Sequence, residues 1–412
     1  MALRVFRGFA SLRQATWAVV AVLLLLQGCS LPQRLAAVPQ DERVKSEIPG
    51  IPNARFWVGD DPAPMMEEGV AALQREKAAL AAAGQNGPLP VANYLAISGG
   101  GDNGAFGAGL LVGWTAAGDR PEFKIVTGIS TGALIAPFAF LGPAYDDTLR
   151  EVYTTITPKL IMEQRGFLAA LFDDAMADNA PLMKLVQHYA NQALLDAIGA
   201  EYDKGRLLLI GTTDLDARVG VIWNIGRIAK SGSPRALELF QKILVASAAV
   251  PGAFPPVMID TEIDGKPYEE MHVDGGAVAQ VFLYPPSIEL STSCADFGIC
   301  RDRRLFIIRN ARLDPDWAEV ERQTLSIAVR AISTIIQSQG VGDLYRIYST
   351  AKRDGVDYNL AYILSDFKEV HAEEFDNAFM RKLFDYGYAM GEHGYPWSKV
   401  PPGYVDSAAP TP

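Results

Sequence analysis

A short β-branched run, Ile125-Val126-Thr127, stops at Gly128, and past Gly132 a stretch of small apolar residues beginning at Ala133 has helical character. Between the two glycines stands Ser130. A chain that leaves a strand and enters a helix within so few residues needs backbone geometry that side chains would crowd, and glycine supplies it. This is the strand, sharp turn and helix setting of a G-x-S-x-G nucleophile elbow, which lifts a serine hydroxyl clear of its surroundings. The five-residue pattern alone fits an ordinary Gly/Ser loop equally well, so the rest of the chain must decide.

A second strand meets glycines just upstream. Tyr94 to Ser98 (YLAIS) reads as a buried strand and runs directly into GGGDNGAFGAGLLVGW. Gly99, Gly100, Gly101 and Gly104, with Asn103 among them, place backbone N–H groups at the start of a helix, where the dipole also favours negative charge. Acyl transfer needs such donors aimed at the oxygen that becomes anionic, so this loop is a candidate oxyanion hole. The same glycines satisfy G-x-G-x-x-G, but no acid closes a second strand about 20 residues on to hold a ribose. No Gly-Lys-Ser/Thr follows either, so no nucleotide cofactor is expected.

Strands and helices alternate along the rest of the chain. Helices are predicted at Met65–Ala83, Thr148–Ile156, Leu160–Phe172, Pro181–Ile198, Leu237–Ala249, Ala318–Gln339, Leu344–Arg353 and Asn377–Met390, and further strands at Leu207–Thr212, Gly220–Ile225, Tyr268–Val273, Arg304–Arg309 and Tyr358–Leu364. The expected class is α/β, a layered sheet flanked by helices. We divide the chain into a signal (1–28), a proline-bearing tether (29–60), an N-terminal helix and linker (61–90), a catalytic core (91–310), a C-terminal α/β extension packed on that core (311–400) and a disordered tail (401–412).

The signal is read from Arg4, Arg7 and Arg13 followed by the apolar run Ala15–Leu26, too short for a comfortable bilayer span. It ends in LLQGCS, which resembles a bacterial lipobox with Cys29 as the lipidated first residue of the mature chain, although Gln27 is not the commonest residue at its place; an ordinary cleaved signal is the other reading. Ser30 in place of aspartate suggests sorting to the outer membrane. The expected location is the cell envelope, as an outer-membrane lipoprotein facing the periplasm. In that oxidising setting Cys294 and Cys300, around the loop ADFGI, are expected to form a local disulfide. The net charge of −11 disfavours a nucleic-acid partner.

Ser130 needs a base. Of the histidines, His188 lies in a helical run, His371 and His393 in polar stretches, and His272 precedes Asp274 by two residues on one strand. Asp274 ends that strand in the sequence HVDGG, where Gly275 and Gly276 open space beside its carboxylate. A carboxylate within hydrogen-bond reach of a serine can act as general base if its pKa of about 3.9 in water rises or its placement compensates. No His/Cys cluster shows metal-ligand spacing, and no metal is expected.

The glycine loop at Gly99–Gly104, the elbow Gly128-Ile129-Ser130-Thr131-Gly132, the segment SAAVPGAFPPV (Ser247–Val257) and Asp274-Gly275-Gly276 stand in the order used by patatin-like phospholipases, which this chain resembles over roughly 200 residues. The resemblance implies a Ser-Asp dyad, with Ser130 as nucleophile, Asp274 as its base and the amides around Gly100 and Gly101 stabilising the oxyanion. It implies a lipid or other ester as substrate and no cofactor. Patatins usually carry Arg or Lys where this chain has Asn103, which removes a side-chain cation. Two other readings stand beside the dyad: a Ser-Asp-His triad completed by His371 or His393, and a lipid-binding envelope protein on a retained fold.

Overall fold

The computed structural model describes residues 34–161, 163–164, 175, 177–290, 300–314, 317, 319–370 and 373–405. The predicted signal, Cys29, Cys294, His371 and most of the predicted helix Leu160–Phe172 lie outside them. Cys300 is disulfide-bonded.

A nine-stranded mixed sheet runs through the molecule. Its strands are β1 (Arg55–Trp57), β2 (Ala92–Ile97), β3 (Ile125–Ile129), β4 (Leu207–Asp214), β5 (Val219–Asn224), β6 (Val257–Ile263), β7 (Lys266–Asp274), β8 (Arg303–Arg312) and β9 (Asp357–Ile363). The main path is β1-β5-β4-β3-β2-β8-β9, and β7 pairs with both β4 and β6. From β4 to β9 along this path every pairing is parallel, whereas β5, β1, β7 and β6 join antiparallel. Parallel strands need helical crossovers that cover both faces. That demand explains why β2 and β3, buried throughout apart from single half-buried positions, read as continuous apolar runs.

The helices are α1 (Ala63–Ala82), α2 (Gly104–Ala117), α3 (Thr131–Leu141), α4 (Asp146–Thr155), α5 (Ala180–Tyr189), α6 (Gln192–Asp203), α7 (Ala236–Ser247), α8 (Thr324–Arg353) and α9 (Asn377–Glu392), with shorter helical turns between some of them. Helices α2 and α3 leave the two glycine turns and are buried nearly all round, as a composition apolar but for one threonine in each requires. Glycines set how closely α2 meets α9. A Cβ on Gly109 would stand 2.1 Å from the Phe384 carbonyl oxygen, and one on Gly387 2.4 Å from that of Phe106. The C-terminal stretch therefore completes the central sheet through β9 and clamps the helix that follows the glycine loop.

Three expectations are corrected, and one strand is added. The stretch read as a tether is, from Arg34 onward, laid against the sheet: Ile48 and Ile51 are buried and Arg55 opens the edge strand β1. The helix predicted at Pro181–Ile198 is two, because Asn191 caps α6 by accepting from the Leu194 amide at 3.1 Å. The helices predicted at Ala318–Gln339 and Leu344–Arg353 are one. Gly340 does not break it; a Cβ there would lie 2.5 Å from Arg309 Nη2, so glycine serves close packing rather than a turn. Strand β6, opening within the loop PPV, was not predicted. Its alternation of buried and half-buried positions is that of a strand with one face on the core.

Candidate active site

The elbow is strained in the way its sequence implies. Ser130 has φ 55° and ψ −128°, left-handed territory that a non-glycine residue enters only when its surroundings force it. The forcing is visible on both sides. A Cβ on Gly128 would stand 2.4 Å from the Gly132 carbonyl oxygen, and one on Gly132 would stand 2.3 Å from that of Ile97. Strand, turn and helix thus touch backbone to backbone, and Ser130 is left at their junction, 8% exposed.

Ser247, the last residue of α7, fixes the turn from behind. Its hydroxyl accepts from the Ser130 amide at 3.0 Å and donates to the Gly211 carbonyl at 2.7 Å. The residue was legible only as the first letter of a loop segment. Replacing it by alanine leaves a buried amide without a partner, a loss of about 1–3 kcal/mol. We expect Ser247→Ala to lower kcat by about tenfold with KM little changed, since a slack elbow leaves substrate binding alone and misplaces the nucleophile for the attack itself. Steady-state kinetics on a soluble ester check this, and an unchanged kcat would show that the bond does not position the serine.

Asp274 comes from β7, whose register sets Thr212 of β4 opposite it. Its amide donates to the Ala249 carbonyl at 2.9 Å, and its Oδ1 accepts from the Gly276 amide at 2.7 Å. The Ser130 hydroxyl faces this carboxyl closely enough to favour the charged form, while Oδ2 is buried without a hydrogen bond of good geometry. Burial dominates and pushes the carboxyl up to about 6; the Ser130 hydroxyl and the Gly276 amide oppose it. A base with that pKa is charged at neutral pH yet a far better proton acceptor than a solvated aspartate.

The glycine loop divides into spent and unspent amides. Gly99 donates to the Gln280 carbonyl at 3.1 Å, Asn103 to the Gly100 carbonyl at 3.1 Å, and Gly104 caps the short turn by bonding back to Asp102 and Gly101. These three members of the proposed oxyanion set are therefore corrected as amide donors: each N–H already has a carbonyl. The amides of Gly100 and Gly101 donate to nothing among the described residues. Gly101 has φ 58° and open space where a side chain would be, whereas a Cβ on Gly100 would stand 2.1 Å from the Asn310 carbonyl oxygen. Asn310 itself, fully buried at the end of β8, staples the loop. It donates from its amide to Ser98 Oγ and from Nδ2 to the Ser98 carbonyl, and it accepts from the Gly107 amide. No local sequence pattern marks it, because its partners lie over 200 residues away.

None of the described histidines touches the pair. His188 and His393 are exposed, the latter with Nδ1 against the Ala389 carbonyl. His272 is buried, but its Nδ1 meets Thr212 Oγ1 at 3.0 Å and its Nε2 meets Glu270 at 3.1 Å. Asp214, Glu270 and His272 bring donor atoms within 4.8 Å of one another, a grouping not foreseen from the sequence. Protein partners account for it. Arg55 grips both oxygens of Glu270, and Asp214 accepts the amides of Asp216 and Ala217.

A strained serine at a strand–helix elbow, a buried aspartate facing it and two unspent loop amides lie on elements between β2 and β7. The patatin-like phospholipase family model matches residues 95–285, the same span. The chain carries a patatin-like phospholipase domain. The domain match supports an enzyme of the lipid acyl hydrolase type. No curated protein sequence matches the chain. Among solved structures it is similar to VipD from Legionella pneumophila, at 10% identity and a TM-score of 0.35 over 74% of this chain and 67% of VipD. It is also similar to the type III effector ExoU, at 15% identity and a TM-score of 0.20, covering 74% of this chain and 54% of ExoU. Both are distant likenesses, and the assignment rests on the domain match.

Proposed function

We propose that the protein cleaves carboxylic esters of membrane lipids through an acyl-Ser130 intermediate, with Asp274 as the base. The observation that carries this is the Ser130 hydroxyl, held at a strained elbow against a buried carboxyl whose pKa is lifted to about 6. Asp274 takes the hydroxyl proton as Ser130 Oγ attacks the ester carbonyl, and returns it to the departing alcohol. The Gly100 and Gly101 amides receive the developing oxyanion. Water then attacks the acyl-enzyme, again with Asp274 accepting the proton, and free fatty acid leaves.

The sequence adds a location. The Cys29 lipobox and Ser30 support an envelope lipoprotein held at the outer membrane, which would keep the site near its substrate. Among the described residues no helix is long and apolar enough to cross a membrane.

Purified protein should release fatty acid from phosphatidylglycerol or lysophospholipid. Ser130→Ala should lose at least about a thousandfold in rate with the fold intact by circular dichroism. Fatty-acid release by Ser130→Ala at the wild-type rate would overturn the acyl-serine route.

A further inference from the structure

Helix α8 is built in two halves. Its C-terminal half buries Leu344, Ile347 and Ala351 against β8 and β9. Its N-terminal half turns isoleucines outward: Ile327, Ile332 and Ile335 are 53%, 56% and 65% exposed. Ile327, Ala331 and Ile335 recur at the i, i+4, i+8 spacing of one helical face, with Ile332 alongside. Water gains nothing from such a stripe, and a contiguous apolar face marks a surface that meets something else.

Charge and position say what. The chain carries 48 acidic residues and a net charge of −11, yet between Glu321 and Asp343 there is no carboxylate, only Arg322 and Arg330. An acidic protein approaches an anionic lipid surface against repulsion, and a helical stretch without a carboxylate is where that repulsion is least. The stripe also leads to the reacting groups. Gln339, one turn past Ile335, donates to the Val278 carbonyl just after the Asp274 motif and accepts from Gln280 at 3.5 Å. The Gln280 carbonyl in turn holds the Gly99 amide.

We propose that the N-terminal half of α8 is a docking surface for an anionic phospholipid bilayer, inserting Ile327, Ile332 and Ile335 at the interface so that an ester enters the Ser130 site from the membrane. This rests on the lipid hydrolase reading, and adds that access is interfacial through this face. An apolar helical face with arginine at its border lies in the headgroup boundary rather than across the bilayer.

The test uses the full chain carrying Cys29→Ser, so that no acyl anchor supplies the binding. Ile327→Glu/Ile332→Glu/Ile335→Glu should cut hydrolysis of mixed phosphatidylglycerol and phosphatidylcholine vesicles by about tenfold or more, with turnover of soluble p-nitrophenyl butyrate within about twofold. Glutamate is a good helix former, so the folded state should persist. Separately, a nitrobenzoxadiazole label on Ile335→Cys should be quenched by brominated lipids, a reading that needs no catalysis. Quenching in a protein that hydrolyses no ester would uphold docking and refute the hydrolase reading. An unquenched label, unchanged vesicle hydrolysis in the triple variant, or equal loss on vesicles and soluble ester would overturn docking. So would sedimentation showing that this face joins two copies of the chain in the presence of vesicles.

Discussion

Asp274→Asn is expected to lower kcat by about a thousandfold or more and, at neutral pH, to make the protein harder to unfold. Both effects come from one cause. Burial holds the Asp274 carboxyl at about 6 in the folded protein against 3.8 for an unperturbed aspartate. At pH below about 4 the group is protonated in folded and unfolded chains alike and costs nothing. Between about 4 and 6 the unfolded chain gives up this proton while the folded protein keeps it, so stability falls across that window relative to a chain without the group and levels off above 6. The penalty is then fully present at pH 7, on the order of 1–3 kcal/mol. Asparagine keeps the shape and removes the charge, so its melting temperature should exceed that of the wild type at pH 7 and converge with it near pH 4. Activity should run the other way in the wild type, with kcat/KM dropping as pH falls through about 6 and the base is lost. Differential scanning calorimetry across pH, beside rate profiles on a soluble ester, checks both arms. Equal melting temperatures at pH 7 would mean that the carboxyl is not held against its charge.

Arg55→Met is expected to be the most damaging single change outside the site. Arg55 and Glu270 are 5% and 1% exposed at the side chain, and the guanidinium meets both carboxylate oxygens while lying over the rings of Trp57 and Trp223. Burial pushes the Glu270 carboxyl up, but Arg55 and His272 together draw it down to about 2. Removing the arginine leaves a buried, uncompensated charge, a loss of about 3–5 kcal/mol. The pair contributes most above the ordinary glutamate pKa, and its contribution is lost as pH falls through about 2. The deficit of Arg55→Met should therefore shrink from pH 7 to pH 4, because glutamate freed of its partner protonates readily. Urea unfolding at the two pH values reads this, and Arg55→Met/Glu270→Met should recover part of the loss. A deficit independent of pH would place the damage in lost aromatic packing instead. The pair ties β1 to the strand that carries Asp274, so the edge of the sheet and the base share one support.

What could be read from the sequence was what a short stretch of chain decides for itself. The two glycine turns, Ser130 and the Asp274-Gly275-Gly276 corner each sit in a few consecutive residues whose backbone demands show in the letters. The supports of the site do not. Ser247 reaches Ser130 and Asn310 reaches Ser98 across the sheet, and Arg55 meets Glu270 from the far end of the chain. Such pairs leave no periodicity in either partner. The glycine loop was misjudged for a related reason: composition shows which amides lack side-chain cover, but not that Gly99, Asn103 and Gly104 have already given theirs to carbonyls. The helices Ala318–Gln339 and Leu344–Arg353 were read as two because propensity is local, while the Arg309 side chain packed against Gly340 between them is not.

The central claim is that Asp274 activates Ser130 directly, without a histidine between them. Covalent labelling with a fluorophosphonate, followed by peptide mapping, tests it most directly. The label should appear on Ser130, at a rate that falls as pH drops through about 6 and that collapses in Asp274→Asn while His188→Ala, His272→Asn, His371→Ala and His393→Ala still react. A serine that never labels, or one whose labelling survives Asp274→Asn and is lost with a histidine, would contradict the dyad.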